Sequence, residues 1–207
     1  MDAESTPPTA LVLDADRPAA VTVIRSIGRA GFRCVAAAPS AQAIGFESRH
    51  ARERVVYPDP TRSRARFQAW MREAPARHGA QVVVPVTDLT LVPLADMRAE
   101  LEPAVLVAAA RNDALDLAWS KSATTQLATA VGVPCPRTAV AGSATEARAA
   151  AAGFDYPVVV KPDRSVRWQD DDGAAHMAVS ICRDRAELEV ALVRAAYPVL
   201  LQEYVAG

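Results

Sequence analysis

Of the 23 basic residues only Lys121 and Lys161 are lysine, the other 21 being arginine. A lysine ammonium is a compact charge on a flexible stem, suited to phosphate oxygens that move during a reaction, whereas the arginines serve for generic surface charge. Two lysines in so arginine-rich a chain invite a phosphate-site reading, although a coding bias toward arginine would leave the same pattern. Lys161 lies in Tyr156-Pro-Val-Val-Val-Lys-Pro162. Its three β-branched valines predict a short buried strand that carries the lysine to its end, where Pro162 is expected to stop the pairing ladder.

The elements that must position these residues follow from periodicity and punctuation. Residues 9–14 read as an apolar strand, 18–29 as a helix closed by Gly31, and 32–38 as a second strand. Such a β-α-β unit implies a parallel sheet with its functional edge at the strand carboxyl ends. Ser48 to Arg54 reads as an arginine-rich link and residues 55–57 as a short strand. Thr61 is the expected cap of a helix from Arg62 to Arg77. The third strong strand is Gln81 to Val86, followed directly by Thr87-Asp88. That pair stands where an open sheet binds ligands, and equally where the next helix needs a cap. Residues 89–100 read as helix and 105–109 as strand.

Beyond residue 110 the organisation changes. Asn112 is expected to cap a stretch through Leu117, and a second helix leads from Lys121 to Gly132. A strand covers Arg137 to Val140, Ser143 caps a helix to Ala152, and Asp184 caps one to Ala196. Arg164 to Gly173 reads as a turn, Met177 to Cys182 as the return strand, and Val199 to Val205 as the last strand. The expected organisation is therefore a disordered lead-in over 1–8, a Rossmann-like domain over 9–109 and a second domain over 110–207.

Composition excludes several classes. A formal net charge of −1 and a pI near 6.3 give no basic face for nucleic acid. No apolar run approaches the ~18 residues of a membrane span. Cys34, Cys135 and Cys182 are widely spaced without a CxxC pair, which fits buried reduced thiols in a cytoplasm and argues against a disulfide frame or zinc site. The first turn reads Asp14-Ala-Asp-Arg-Pro18, without the glycines a dinucleotide pyrophosphate requires.

In its second half, Lys121, Gly132-Val-Pro-Cys-Pro136, Tyr156-Pro-Val-Val-Val-Lys-Pro162 and Leu200-Leu-Gln-Glu-Tyr-Val-Ala-Gly207 together resemble the first half of an ATP-grasp domain. In the first half, Arg25-Ser-Ile-Gly-Arg29, Tyr57-Pro-Asp-Pro60 and Pro85-Val-Thr-Asp88 are similar to the pre-ATP-grasp domain of predicted carboxylate-amine ligases. The implied fold class is α/β, a Rossmann-like pre-ATP-grasp parallel sheet followed by the α+β first subdomain of an ATP-grasp fold. The implied chemistry is activation of a small-molecule carboxylate by ATP to an acylphosphate, which an amine attacks. By matching motif, Lys121 and Lys161 would hold phosphates, with backbone groups of Glu203 and Val205 reading the adenine edge and Gln202 near its amino group. A plain edge strand would carry Gln202 and Glu203 equally well. Arg17, Thr87 and Asp88, at inferred strand ends, are the candidate substrate contacts. No residue is assigned a catalytic role, and self-association stays open.

Two departures from the family pattern bear on function. The loop after Lys161 carries Asp163-Arg-Ser-Val-Arg-Trp168 and Asp170-Asp-Asp172 where many members have glycines that approach phosphate oxygens. Arg164, Ser165 and Arg167 are the donors that remain, and the triple aspartate reads as a solvated tip, not a metal site. The second ATP-grasp subdomain, with its ribose-binding acid and its Mg2+ ligands, has no counterpart here. The chain is therefore expected to be a truncated part of a ligase, inactive alone; a non-catalytic nucleotide-binding or interaction module of the same fold is the alternative.

Overall fold

In the computed structural model, which describes residues 6–168 and 174–206, the chain divides into two units. One comprises Met1–Ala110 with Trp168–Ala175, the other Arg111–Arg167 with His176–Gly207.

The first unit is built on five parallel strands. These are β1 (Thr9–Val12), β2 (Arg33–Ala38), β3 (Ala51–Val56), β4 (Val82–Val84) and β5 (Leu106–Val107), in the order β3-β2-β1-β4-β5. Alternation along the strands splits the core between the two sheet faces. Ala10, Val12, Cys34 and Ala36 pack with Ala20 and Ile24 of helix α1 (Pro18–Arg29). Leu11, Leu13, Val35 and Val83 pack with Phe67 and Met71 of α2 (Arg64–Arg77). Helices α3 (Asp88–Asp96) and α4 (Arg98–Leu101) close the second face with Leu94, Met97 and Leu101. Gly31 ends α1 at φ 92°, a conformation that suits glycine. The lead-in expected over 1–8 falls partly outside the described residues, and the Pro8 carbonyl accepts a hydrogen bond from Arg33 N–H.

Two local expectations are corrected in this unit. The supposed link at Ser48–Arg54 is mostly strand β3, in which half-buried Ala51, Glu53 and Val55 alternate with exposed Arg52, Arg54 and Val56. The cap of α2 is Ser63, whose hydroxyl accepts from Arg66 N–H, while Thr61 turns its own N–H and hydroxyl to Asp59. Asp88 belongs to α3 as its first residue, with Thr87 in the cap position.

In the second unit, α5 (Asn112–Trp119) and α6 (Lys121–Ala130) precede a four-stranded antiparallel sheet. Asn112 is the first helical residue and Arg111 takes the cap position expected for it. Helix α6 buries none of its residues. The sheet joins β6 (Thr138–Ala141), β7 (Val158–Pro162), β10 (Ser180–Cys182) and β11 (Val199–Glu203) in the order β10-β7-β11-β6. Its inner face packs Val158, Val160, Cys182, Val199 and Leu201 against Ala147 and Ala151 of α7 (Ala144–Ala151) and Leu188 and Leu192 of α8 (Arg185–Arg194). Ser143 and Asp184 cap these helices as expected, accepting from Glu146 N–H and Glu187 N–H.

Pro162 does not stop the ladder but continues it opposite Val199. Past Val160, β7 keeps only β11 as a neighbour, and such an edge tolerates a proline. The segment read as an unpatterned turn contains β8 (Val166–Trp168), which forms a separate two-stranded sheet with β9 (Ala174–His176), just past that segment. Asp170–Asp172 lie outside the described residues. Among the described residues no helix is long and apolar enough to cross a membrane.

Candidate functional site

In the first unit the sheet order makes β1 and β4 neighbours whose onward connections run to opposite sides, a topological switch point. Asp14, two residues past β1, is buried there and adopts φ 57°, which aspartate tolerates better than most residues. Its Oδ2 accepts from Val86 N–H (3.0 Å), Thr87 N–H (2.8 Å) and the Thr90 hydroxyl (2.7 Å), while Oδ1 accepts from the Tyr57 hydroxyl at 3.3 Å. Burial pushes the Asp14 carboxyl above its ordinary value, and the bonds from Thr90, Val86 and Thr87 only partly offset that. The same burial, with the Asp14 charge beside it, pushes the Tyr57 phenol far upward.

Asp14 thus ties the β4–α3 turn to the end of β1. Thr87 and Asp88 stand at that turn. Arg17, in the cap position of α1 near the same end of β1, pairs with Asp16 at 3.1 Å. Sequence reasoning passed over Asp14 because its partners lie 43 to 76 residues away. The available signal was a residue type that accepts positive φ at the first strand's carboxyl end.

In the second unit a single carboxylate organises the start of α6. Asp163 Oδ1 accepts from Ser122 N–H (2.9 Å) and the Ser120 hydroxyl (3.2 Å), and Ser120 Oγ in turn accepts from Ala123 N–H. The Asp163 carbonyl accepts from Lys121 N–H at 3.0 Å and from the Lys121 ammonium at 3.3 Å. That ammonium also donates to the Ser165 hydroxyl at 3.0 Å. Burial alone would push the Asp163 carboxyl up, but the donors from Ser122 and Ser120 outweigh it and hold it below its ordinary value. A carboxyl lowered in the fold stabilises above its unfolded pKa and loses that contribution as pH falls below about 3.8. Two residues beyond Lys161, the chain therefore holds Lys121.

Lys161 lies on the sheet face away from α7 and α8. Its ammonium donates to Gln202 Oε1 at 2.6 Å, and Gln202 Nε2 donates to Thr138 Oγ1 at 2.9 Å. Glu203 bonds Arg137 twice: Oε1 accepts Arg137 N–H at 2.8 Å, and Glu203 N–H donates to the Arg137 carbonyl at 3.0 Å. Val205 is exposed beyond the end of β11. Lys121 with Ser165, Lys161 with Gln202, and Glu203 with Arg137 thus form three sets of bonds in this unit, and Val205 stands outside them. Asp163 and Thr138 were missed, the latter because only strand pairing brings it opposite Gln202.

A groove of about 530 Å³ runs between α6 and β6, lined by Thr125, Gln126, Thr129, Cys135, Arg137 and Thr138 among others. The larger cavity, about 640 Å³, lies by β10 and α8 and is lined by neither lysine. Among the described residues no three His, Cys, Asp or Glu side chains gather into a group able to hold a metal ion.

No protein-family model matches the sequence. No curated protein matches it either. Solved structures do match in shape. An L-amino acid ligase from Bacillus licheniformis superposes with TM-score 0.65 at 16% identity, over 98% of this chain and 45% of that one. An N5-carboxyaminoimidazole synthetase from Staphylococcus aureus complexed with ADP gives 0.68 at 12% identity, over 96% and 48%. A RimK domain protein, ATP-grasp, from Sphaerobacter thermophilus gives 0.59 at 18%, over 97% and 65%. The chain spans just under half the length of the first two. At such identities the likeness is one of fold, and the parallel sheet followed by a separate antiparallel sheet is the ATP-grasp arrangement expected from the sequence.

Proposed function

We propose, with the ATP-grasp fold as premise, that this chain supplies the phosphate-binding part of an ATP-dependent carboxylate-amine ligase. In this reading Lys121, Lys161 and Ser165 meet the nucleotide's phosphates, and Glu203 and Val205 lie along the adenine. Gln202 serves Lys161 more than the base, since its amide oxygen already accepts from that ammonium. Arg17, Thr87 and Asp88 are the candidate contacts for the carboxylate or amine.

One observation carries the reading. The only two lysines of the chain belong to adjoining polar networks, joined through the Lys161–Ser165 segment. Positive charge fixed around phosphate oxygens is what such a transfer requires of the protein. A carboxylate oxygen would attack the terminal phosphorus with ADP leaving; the amine would then displace phosphate from the acyl carbon. Among the described residues no cluster of carboxylates fits a magnesium site.

The non-catalytic alternative draws support from the Lys121 ammonium, which already rests on Ser165 and the Asp163 carbonyl. Calorimetric titration of the 207-residue chain with MgADP addresses the binding that both readings share. Saturable heat, lost in the double variant Lys121→Ala/Lys161→Ala, is the expected result. Undiminished binding by that variant would remove both lysines from the site. Turnover by a longer chain that contains this one would then separate ligase from binding module.

A further inference from the structure

Between the Lys161 ammonium, which can only donate, and the Pro136 carbonyl, which can only accept, stand two side chains that can do both. Lys161 Nζ donates to Gln202 Oε1 (2.6 Å), Gln202 Nε2 to Thr138 Oγ1 (2.9 Å), and the Thr138 hydroxyl to the Pro136 carbonyl (2.8 Å). The direction of this chain is forced from both ends. The single Thr138 proton is taken by a backbone carbonyl, so its oxygen offers Gln202 a lone pair and demands a donor. The ammonium demands an acceptor. A flipped amide would set NH2 against the ammonium and a carbonyl against a hydroxyl with no proton left, so only one orientation satisfies both neighbours.

Strand register puts the parts in place. Gln202 pairs with Thr138 across β11 and β6, and Lys161 pairs with Leu200, one diagonal step from Gln202 on the same face. Thr138 and Pro136 also line the groove beside α6, at the margin of the sheet.

We infer that Thr138 is a positioning residue: by fixing the Gln202 amide, it sets the direction in which the Lys161 ammonium presents its remaining N–H groups. The inference rests on the proposed function only for the identity of what those groups meet.

Having only two lysines makes the test direct. Protein labelled with ε-13C lysine gives two side-chain signals, assigned by Lys121→Arg, which leaves one. Thr138→Val keeps shape and strand propensity while deleting the hydroxyl. The expected result is a displaced Lys161 signal with the Lys121 signal unmoved, and an MgADP dissociation constant raised about tenfold, the upper end for one neutral hydrogen bond. Thr138→Ser should restore both. Gln202→Met, which removes the link itself, should displace the Lys161 signal in the same way even if Thr138→Val folds poorly. An unmoved Lys161 signal in a folded variant, or no recovery with serine, overturns the inference. A displaced signal in a protein whose wild type does not bind MgADP keeps the relay and removes the nucleotide reading.

Discussion

Asp14→Ala is expected to lower folding stability by about 3–5 kcal/mol, read as a fall in the urea midpoint. The substitution leaves two partly buried N–H groups, of Val86 and Thr87, and the buried Thr90 hydroxyl without the oxygen they share. Each buried donor left unmet costs about 1–3 kcal/mol, though not additively, and alanine at φ 57° adds about 1 kcal/mol of backbone strain. Asp14→Asn should cost far less, under about 1.5 kcal/mol. Its carbonyl can serve the three donors, its amide can donate to the Tyr57 oxygen, and asparagine also tolerates this backbone.

The pH dependence has a definite sign. A carboxyl raised in the fold gives stability that is present below its unfolded pKa and withdrawn as pH rises through the folded value. The wild type should therefore lose ground to the asparagine variant as pH climbs above 3.8. Equal losses for alanine and asparagine would mean that charge, not the geometry of acceptance, holds the β4–α3 turn.

Lys161→Met is expected to weaken MgADP binding about 100-fold, close to the upper end for a hydrogen bond made to a charged group. Methionine keeps the apolar stem along the sheet face but removes the charge, and leaves Gln202 Oε1 without the ammonium. Fold stability should change little, because the residue is only partly buried. For Lys121→Met the loss should be nearer tenfold. The Lys121 ammonium already donates to the Asp163 carbonyl and to Ser165, so a phosphate competes there with contacts the fold has made. Calorimetry on the two single variants checks the order, and a Lys161→Met protein that binds as the wild type does would dismiss Lys161 as a phosphate ligand.

Legibility differed between elements for physical reasons. The parallel sheet showed in the sequence because its central strands are buried on both faces and read as apolar runs broken by helical spacing. The Ser143 and Asp184 caps were visible because each has a glutamate three residues on, and both glutamates reach back past the cap to accept from Gly142 N–H and Arg183 N–H. Strand β3 was hidden because an edge strand can fill its exposed positions with arginine, which looks like a linker. At the site, the lysines announced themselves by rarity. Ser165 and Gln202 were named with them, but Asp163 and Thr138 were not: Asp163 is 41 to 43 residues from the serines it binds, and Thr138 is 64 from Gln202. Such partnerships are set by tertiary register, on which local pattern is silent.

The lack of any buried residue in α6 has a dynamic consequence. With little apolar burial to hold it, that helix opens and closes at low free energy, restrained chiefly by the Ser120 and Asp163 contacts at its first turn. Its amides should exchange with solvent deuterium far faster than those at the centre of β7, paired on both sides. A ligand that engages Lys121 would lend its binding energy to that first turn and slow exchange along the whole helix, so that α6 would report occupancy as far as Ala130, at its other end.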